Sequence, residues 1–430
     1  MSKRFFIKTF GCQMNKNDSS IIETILEDQG FERADSEDTA DIYIINTCTV
    51  RAHAENRALA YVSGLRQWRQ KGKRVLAMVG CLAEEKADEI SRKLSFVDII
   101  LGPDSYRQIG AHIMQVIERE TKIVDRKLDG ETYCGVFPKT PQVASFVSIM
   151  RGCSNYCSYC IVPYVRGKAR SRPPEDIGRE IEHLVQCGVK DITLLGQNVN
   201  EYCYESTDFV HLLEKVSSIT GLLRLRFLTS HPKDFAKKTV DVVKAQSNIC
   251  EWFHLPLQSG NDRILQLMNR KYTVSDYRSL IDHIRREIPE ARITTDVIVG
   301  FPSEAEEEFQ NTVSFFKETR FDDAYMYRYS TRTGTSASRL KPLDEPVIKR
   351  RLSELISIQN TITRERTEAM MGKQYEILIE GPARGNASRG KTRGNKDVVV
   401  EQRLAPGTVV NVLIRQVKGH TPIGELATTV

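Results

Sequence analysis

Cys153, Cys157 and Cys160 stand at Cys-x3-Cys-x2-Cys spacing in the string Met150-Arg151-Gly152-Cys153-Ser154-Asn155-Tyr156-Cys157-Ser158-Tyr159-Cys160. A structural zinc site takes four ligands, and no second pair or nearby histidine is offered here at finger spacing. Three thiolates instead suit a 4Fe-4S cluster with one iron left open, which can bind a small molecule directly. The competing reading, three small buried hydrophobes, has to place all three in one loop by chance. A second trio has a different signature. Phe10-Gly11-Cys12, Asn46-Thr47-Cys48 and Val79-Gly80-Cys81 each set a cysteine just past a strand pattern, at spacings of 36 and 33 residues. In a parallel sheet those three ends lie on one edge, so the thiols can converge on a second cluster, again one ligand short. Cys134, Cys187, Cys203 and Cys250 share no spacing and are read as structural.

The elements that must position these thiols follow from periodicity. Arg4 to Phe10, Asp41 to Asn46 and Arg74 to Val79 read as strands alternating with helices, which predicts an N-terminal parallel-sheet α/β domain over 1–120. Six further strands are predicted at Ser145 to Met150, Asp191 to Leu195, Leu223 to Thr229, Trp252 to Leu255, Arg292 to Val299 and Ala324 to Tyr329. Helices are expected between them at Asp176 to Cys187, Phe209 to Ile219, Asp262 to Met268 and Glu304 to Lys317. That is a partial (β/α)6 barrel within 140–370, whose functional residues should sit in the loops after the strands. A connecting helix is expected over 344–371, with Val347, Leu352, Leu355, Ile358 and Ile362 as its buried stripe. Short strand patterns at Gln374 to Glu380, Asp397 to Glu401 and Thr408 to Val417, between Gly-, Asn- and Arg-rich turns, predict a small antiparallel β-barrel over 371–430, a shape often used for oligonucleotide binding.

Composition sets the outer limits. In 430 residues, 40% hydrophobic and 27% charged, the chain is an ordinary globular one and not collagenous, mucin-like or largely disordered. No apolar run approaches the roughly 20 residues of a membrane span, and the opening Met1 to Lys8 does not read as a signal peptide. A cytoplasmic location is expected, where ten cysteines serve as thiols or metal ligands and not as a disulfide framework. The net charge of +6 is mild, but residues 371–430 hold nine Lys or Arg against five Asp or Glu. Four of those six charges therefore fall in the terminal barrel.

The Cys-x3-Cys-x2-Cys loop on the first strand of a six-unit barrel resembles the radical S-adenosylmethionine (SAM) superfamily. Taken with the second trio and the basic terminal barrel, the whole chain resembles the methylthiotransferases, and within them the tRNA-modifying branch. The strings that carry this are Thr9-Phe10-Gly11-Cys12-Gln13-Met14-Asn15, Cys160-Ile161-Val162-Pro163-Tyr164-Val165-Arg166-Gly167, Gly196-Gln197-Asn198-Val199-Asn200, Thr229-Ser230-His231-Pro232 and His254-Leu255-Pro256-Leu257-Gln258-Ser259-Gly260. The resemblance implies an auxiliary-cluster domain, a radical SAM core and a terminal TRAM domain. It implies two 4Fe-4S clusters and two roles for SAM, one molecule donating methyl to a sulfur on the auxiliary cluster and another yielding a 5′-deoxyadenosyl radical. The implied substrate is N6-(dimethylallyl)adenosine at position 37 of tRNA, in the anticodon stem-loop, which becomes its 2-methylthio derivative. A reducing electron donor and a sulfur-supply system are implied partners, and the chain is expected to be a monomer. A ribosomal-protein aspartate methylthiotransferase and a noncatalytic iron–sulfur RNA-binding or electron-transfer protein are the alternatives.

Other positions are candidates by place. Tyr159 stands where the family puts an aromatic near the adenine of SAM. Gln197 and Asn198 end the second barrel strand, Gln258 follows the fourth and Asp296 lies toward the end of the fifth, so all four are candidate cofactor contacts. His231 and His254 are read as satisfied loop histidines. Arg166, Lys168, Arg170 and Arg172 alternate along an extended stretch, with Arg166 a candidate phosphate contact. In the terminal barrel Arg384, Arg389, Lys391 and Arg393 are expected in a turn-rich loop that meets RNA.

Overall fold

The computed structural model describes residues 2–50, 52–139 and 142–427, the side chains of 52–54 excepted, so the last three residues of the run 371–430 lie outside the described residues. Strands β1 (Arg4–Phe10), β2 (Glu32–Arg33), β3 (Ile42–Thr47), β4 (Val75–Gly80), β5 (Ile99–Leu101) and β6 (Ile123–Asp125) form one sheet in the order β2-β1-β3-β4-β5-β6. Every pair is parallel. Ile42 and Ile44 turn to one face and pack with Ile22 and Leu26 of helix α1 (Gln13–Asp28). Tyr43 and Ile45 turn to the other, against Val62, Trp68 and Leu82. Burial on both faces is why β3 is apolar nearly throughout, and each such side chain contributes roughly 1.5–3 kcal/mol. The register pairs Phe10 with Thr47 and Thr47 with Gly80. Cys48 and Cys81 therefore follow neighbouring strands at equivalent places, with Cys12 one residue further on, and adjacent strands stand only about 4.8 Å apart.

Six parallel strands follow in two sheets of three. Ala144–Ser148, Asp191–Leu195 and Arg224–Leu228 form the first, Trp252–His254, Arg292–Val299 and Asp323–Arg328 the second. A bridge between Leu225 and Ile249 joins them. Among the described residues no ladder closes the ring between its first and last strands. Helix α1 covers that open edge, where Asn17 Nδ2 donates to the Phe146 carbonyl at 3.1 Å. The predicted first strand, Ser145 to Met150, ends early at Ser148, and Met150–Arg151 instead pairs antiparallel with Arg170–Ser171. This ribbon pinches the cysteine loop at its base. Gly152, at φ +76°, occupies the neck, where a Cβ would stand 2.0 Å from the Lys168 carbonyl oxygen.

Helix Glu345–Glu368 buries Ile348, Arg351, Leu355, Gln359, Ile362, Thr363 and Thr367. Leu355 and Ile362 belong to the predicted stripe, whereas Val347, Leu352 and Ile358 are only half-buried. Hydropathy alone marks the expected stripe, and polar contacts rotate the seam away from it. Arg351 donates to Glu304 and Gln359 donates to the Phe321 carbonyl. The terminal strands Gln374–Pro382, Ser388–Thr392, Asp397–Val400, Thr421–Leu426 and Val409–Lys418 close into a barrel in that order. Its ladders are antiparallel except one, the parallel pairing of Asp397–Val400 with Thr421–Leu426. Arg389 and Lys391 lie on a strand of this barrel and not in the predicted loop.

Candidate active site

At the edge of the N-terminal sheet the ends of β1 and β3 are tied by amides before any thiol is considered. Asn15 Nδ2 donates to Asn46 Oδ1 at 3.0 Å and to the Thr47 carbonyl at 3.2 Å, while Asn46 Nδ2 donates back to the Asn15 carbonyl at 2.8 Å. The Cys12 N–H donates to Asn15 Oδ1 at 3.3 Å. Cys12, Cys48 and Cys81 meet over this brace. A hydrogen bond from the Cys48 thiol, aided by the charge of Arg166, draws Cys12 down to about 6 despite its burial. Cys48 is raised, first as the donor in that bond and then by burial, and burial raises Cys81.

The second trio lies beyond the pinched ribbon. Cys153 accepts from Asn155 Nδ2 at 3.5 Å, and Cys157 from the buried Arg270 Nη1 at 3.5 Å. Burial raises Cys153 and pushes Cys160 up to about 12. A metal ion that binds such thiols displaces their protons. Among the described residues no three His, Cys, Asp or Glu side chains gather around a point fit for a single ion. All-sulfur donor sets of three suit a polynuclear iron–sulfur group, in which each iron takes one thiol.

One cavity of about 690 Å³ is lined by Cys12 and Cys48 from the first trio and by all three cysteines of the second. Gln197, Asn198, Gln258, Asp296 and Tyr159 line it too. Gln197 Oε1 and Gln258 Oε1 are buried there without a hydrogen-bond partner among the described residues, as are Ser230 Oγ and His231 Nε2. Buried polar atoms left unpaired call for a bound partner, and a polar nucleoside such as SAM fits that need. Gln258 also holds φ +68°, a conformation sparsely populated outside glycine. Asn198 is different. Its amide is spent on the neighbouring loop, accepting from the His231 N–H at 3.0 Å and donating to Asp234 at 2.9 Å. His231 is half-satisfied, contrary to expectation. Its Nδ1 accepts from the Lys233 N–H at 3.2 Å, so the proton sits on Nε2. Burial, then the charges of Arg270 and Lys233, hold the imidazole down to about 2 and therefore neutral. His254 ends the fourth barrel strand with Nδ1 on Thr294 Oγ1 at 3.0 Å, a satisfied histidine as read.

The cavity does not stop at the strand ends where cofactor contacts were expected. It continues past Trp252 and Arg292 at the opposite, amino-terminal ends of the strands, and is finished there by Lys391, Asn395, Lys396 and His420 of the terminal barrel. A second cavity of about 980 Å³ shares Lys391 and Asn395 and opens beside Lys16, Lys190 and Arg389. Arg384 and Arg389 are exposed, in keeping with a surface role. Two of the predicted RNA contacts are corrected. Arg166 is 3% exposed and donates to Cys81 and Asp18, so it faces the protein interior. Arg393 is engaged by Glu251 at 2.6 Å and by the Ile249 carbonyl at 2.7 Å, which makes it a fastening between terminal and central barrels. The alternating basic stretch is likewise mostly internal. Arg170 pairs with Asp104, and the buried Arg172 pairs with Asp176 and Glu180, leaving Lys168 exposed.

Comparison with known proteins adds to this geometry. Residues 147–316 match the Radical SAM superfamily, and residues 4–102 match a family described as Uncharacterized protein family UPF0004. The chain is 41% identical, over 99% of its length and 99% of the relative's, to a protein of Thermodesulfovibrio yellowstonii named tRNA-2-methylthio-N(6)-dimethylallyladenosine synthase. Proteins of the same name from Syntrophus aciditrophicus and Desulforamulus reducens are 41% and 40% identical over 99% of this chain and over 94% and 96% of their own. Among solved structures, the radical SAM methyltransferase TsrM from Kitasatospora setae, with cobalamin and a [4Fe-4S] cluster bound, aligns with a TM-score of 0.59 at 15% identity, covering 79% of this chain and 77% of that one. The cobalamin-dependent radical enzyme OxsB aligns at 0.53 with 9% identity, over 84% of this chain and 56% of that one. These last two likenesses concern the fold.

Proposed function

The chain belongs to the family of tRNA-2-methylthio-N(6)-dimethylallyladenosine synthases within the radical SAM enzymes, and on that premise we propose that it replaces the C–H at carbon 2 of N6-(dimethylallyl)adenosine 37 in tRNA by C–S–CH3. It uses an iron–sulfur cluster and SAM. In this reading Cys153, Cys157 and Cys160 hold one 4Fe-4S cluster and Cys12, Cys48 and Cys81 a second. With SAM, these groups supply the radical, the methyl group and the sulfur that an unreactive aromatic C–H requires.

The chain's own residues supply placement. The unpaired Gln197 Oε1 and Gln258 Oε1 accept from donors of SAM, and the neutral His231 offers it an Nε2–H. Asn198 holds the His231 loop, and half-buried Tyr159 and Asp296 complete the wall. The terminal barrel brings the RNA to the far mouth, with Lys391 and Lys396 inside and Arg384 and Arg389 on the surface for phosphates. A base must leave its stack to reach thiols so deep in the cavity, which suits a single-stranded anticodon loop. Residues 1–120, 140–370 and 371–430 divide these tasks, in a cytoplasmic monomer that draws on a reducing electron donor and a sulfur-supply system. No helix among the described residues is long and apolar enough to cross a membrane.

The observation that carries this reading is the one cavity lined by Cys12 and Cys48, by Cys153, Cys157 and Cys160, and by the terminal barrel. Anaerobic incubation of the reconstituted enzyme with isopentenylated, unthiolated tRNA, SAM and a reductant, followed by nucleoside mass spectrometry, tests it. The expected product is the 2-methylthio nucleoside. Recovery of only the starting nucleoside, alongside 5′-deoxyadenosine release, would exclude this substrate.

A further inference from the structure

Arg166 lies six residues after Cys160, on the short helix Val162–Arg166 that packs Val165 against Cys81. It belongs to the central barrel in sequence and to the N-terminal thiols in space. Its Nε donates to Cys81 Sγ at 3.1 Å and its Nη2 to Asp18 Oδ2 at 2.6 Å. Its Nη1 is buried with no acceptor among the described residues. Asp18, fully buried, also takes Arg151 Nη1 at 2.8 Å, and Arg151 is 1% exposed.

Two buried guanidiniums therefore share one carboxylate. A surplus buried cation is costly unless an anion lies beside it, and the nearest candidates are the thiols of the first trio. A 4Fe-4S cluster on three thiolates is anionic, and one-electron reduction adds a further negative charge. Such a group would supply the counter-charge that the second guanidinium lacks.

We propose that Arg166 is a positioning residue for the group on Cys12, Cys48 and Cys81: a cation delivered by the radical module that fixes the Cys81 thiolate and offsets the charge gained when that group is reduced. The proposal rests on the reading that the first trio holds a 4Fe-4S cluster. It makes the N-terminal centre a product of two modules, completed only where the cysteine loop of the barrel docks on α1 through Asp18.

The test isolates the first trio in the full chain by the triple substitution C153A/C157A/C160A, reconstituted anaerobically with iron and sulfide. Its midpoint potential is read by dithionite titration through mediators, with the reduced signal followed by electron paramagnetic resonance. Adding Arg166→Gln shifts the potential to more negative values at unchanged iron content, and Arg166→Lys recovers much of the shift by restoring charge. Asp18 keeps Arg151 in both, so the junction is not left with an unpaired carboxylate. An R166Q potential equal to the parent's overturns the proposal. If R166Q binds no iron, retention of iron by R166K at a potential near the parent's upholds the charge role, and loss of iron from both assigns Arg166 to packing alone. Absence of iron from the parent triple variant counts against the cluster reading itself and not against the role of Arg166.

Discussion

At the scale of single residues, each thiol trio has one sulfur met by a buried arginine, Cys81 by Arg166 and Cys157 by Arg270. The partners are 85 and 113 residues apart in the chain. Short spacing made Cys153, Cys157 and Cys160 legible in the sequence, and repetition after successive strands did the same for Cys12, Cys48 and Cys81. Nothing local marks an arginine whose acceptor arrives from another module, which is why Arg166 reads from sequence as a phosphate contact. Asp18 is the anchor of this set. Burial works to raise its carboxyl, but the charges of Arg151 and Arg166 prevail and hold it below the ordinary value of 3.8. A carboxylate lowered in the folded state lends stability that is fully present above its unfolded value and is lost as pH falls through the folded one. Asp18→Asn leaves two buried cations without their counter-ion and is expected to cost about 3–5 kcal/mol near pH 7. Urea unfolding of D18N and wild type measures this, and the gap should narrow as the pH drops below about 4.

At the scale of elements, most of the expected parallel strands are readable to within one residue at each end. Arg4–Phe10, Asp191–Leu195 and Arg292–Val299 have the ends that their apolar patterns predict. Ser388–Thr392 is not legible as a strand in the sequence, because Ser-Arg-Gly-Lys-Thr offers no apolar alternation. It is a strand because Gly390 lets it press against Gln374–Pro382, where a Cβ would stand 2.3 Å from the Leu378 carbonyl oxygen. Helix Glu345–Glu368 shows a subtler limit. Hydropathy finds Leu355 and Ile362, but the seam also carries Arg351 and Gln359, buried by their hydrogen bonds to Glu304 and Phe321. Leu355→Ala, at a fully buried position, should therefore cost about 2–5 kcal/mol. Ile358→Ala, on the half-buried flank of the same helix, should cost clearly less. Thermal melts of the two variants rank them, and equal losses would contradict the seam described here.

At the scale of the whole molecule, ion pairs and carbonyl contacts fasten the three modules together. Asp18 binds Arg151 and Arg166, Glu55 binds Arg332 at 2.6 Å, and Glu376 of the terminal barrel binds Arg224 at 2.8 Å. Arg226 donates to the Thr392 carbonyl at 3.0 Å while paired with Asp191. Such contacts fix orientation, and orientation makes one cavity out of parts from all three modules. The modules themselves can be read from periodicity and charge. Their joints cannot, since each joint depends on pairs far apart in sequence. The most direct measurement is the iron and acid-labile sulfide content of anaerobically reconstituted chain, with Mössbauer spectra, for wild type and for the triple variants C153A/C157A/C160A and C12A/C48A/C81A. Two facing 4Fe-4S centres predict about eight irons in the wild type and about four in each triple variant. About four in the wild type, with none in one triple variant and no change in the other, would contradict a second centre and with it the methylthiolation chemistry proposed for this cavity.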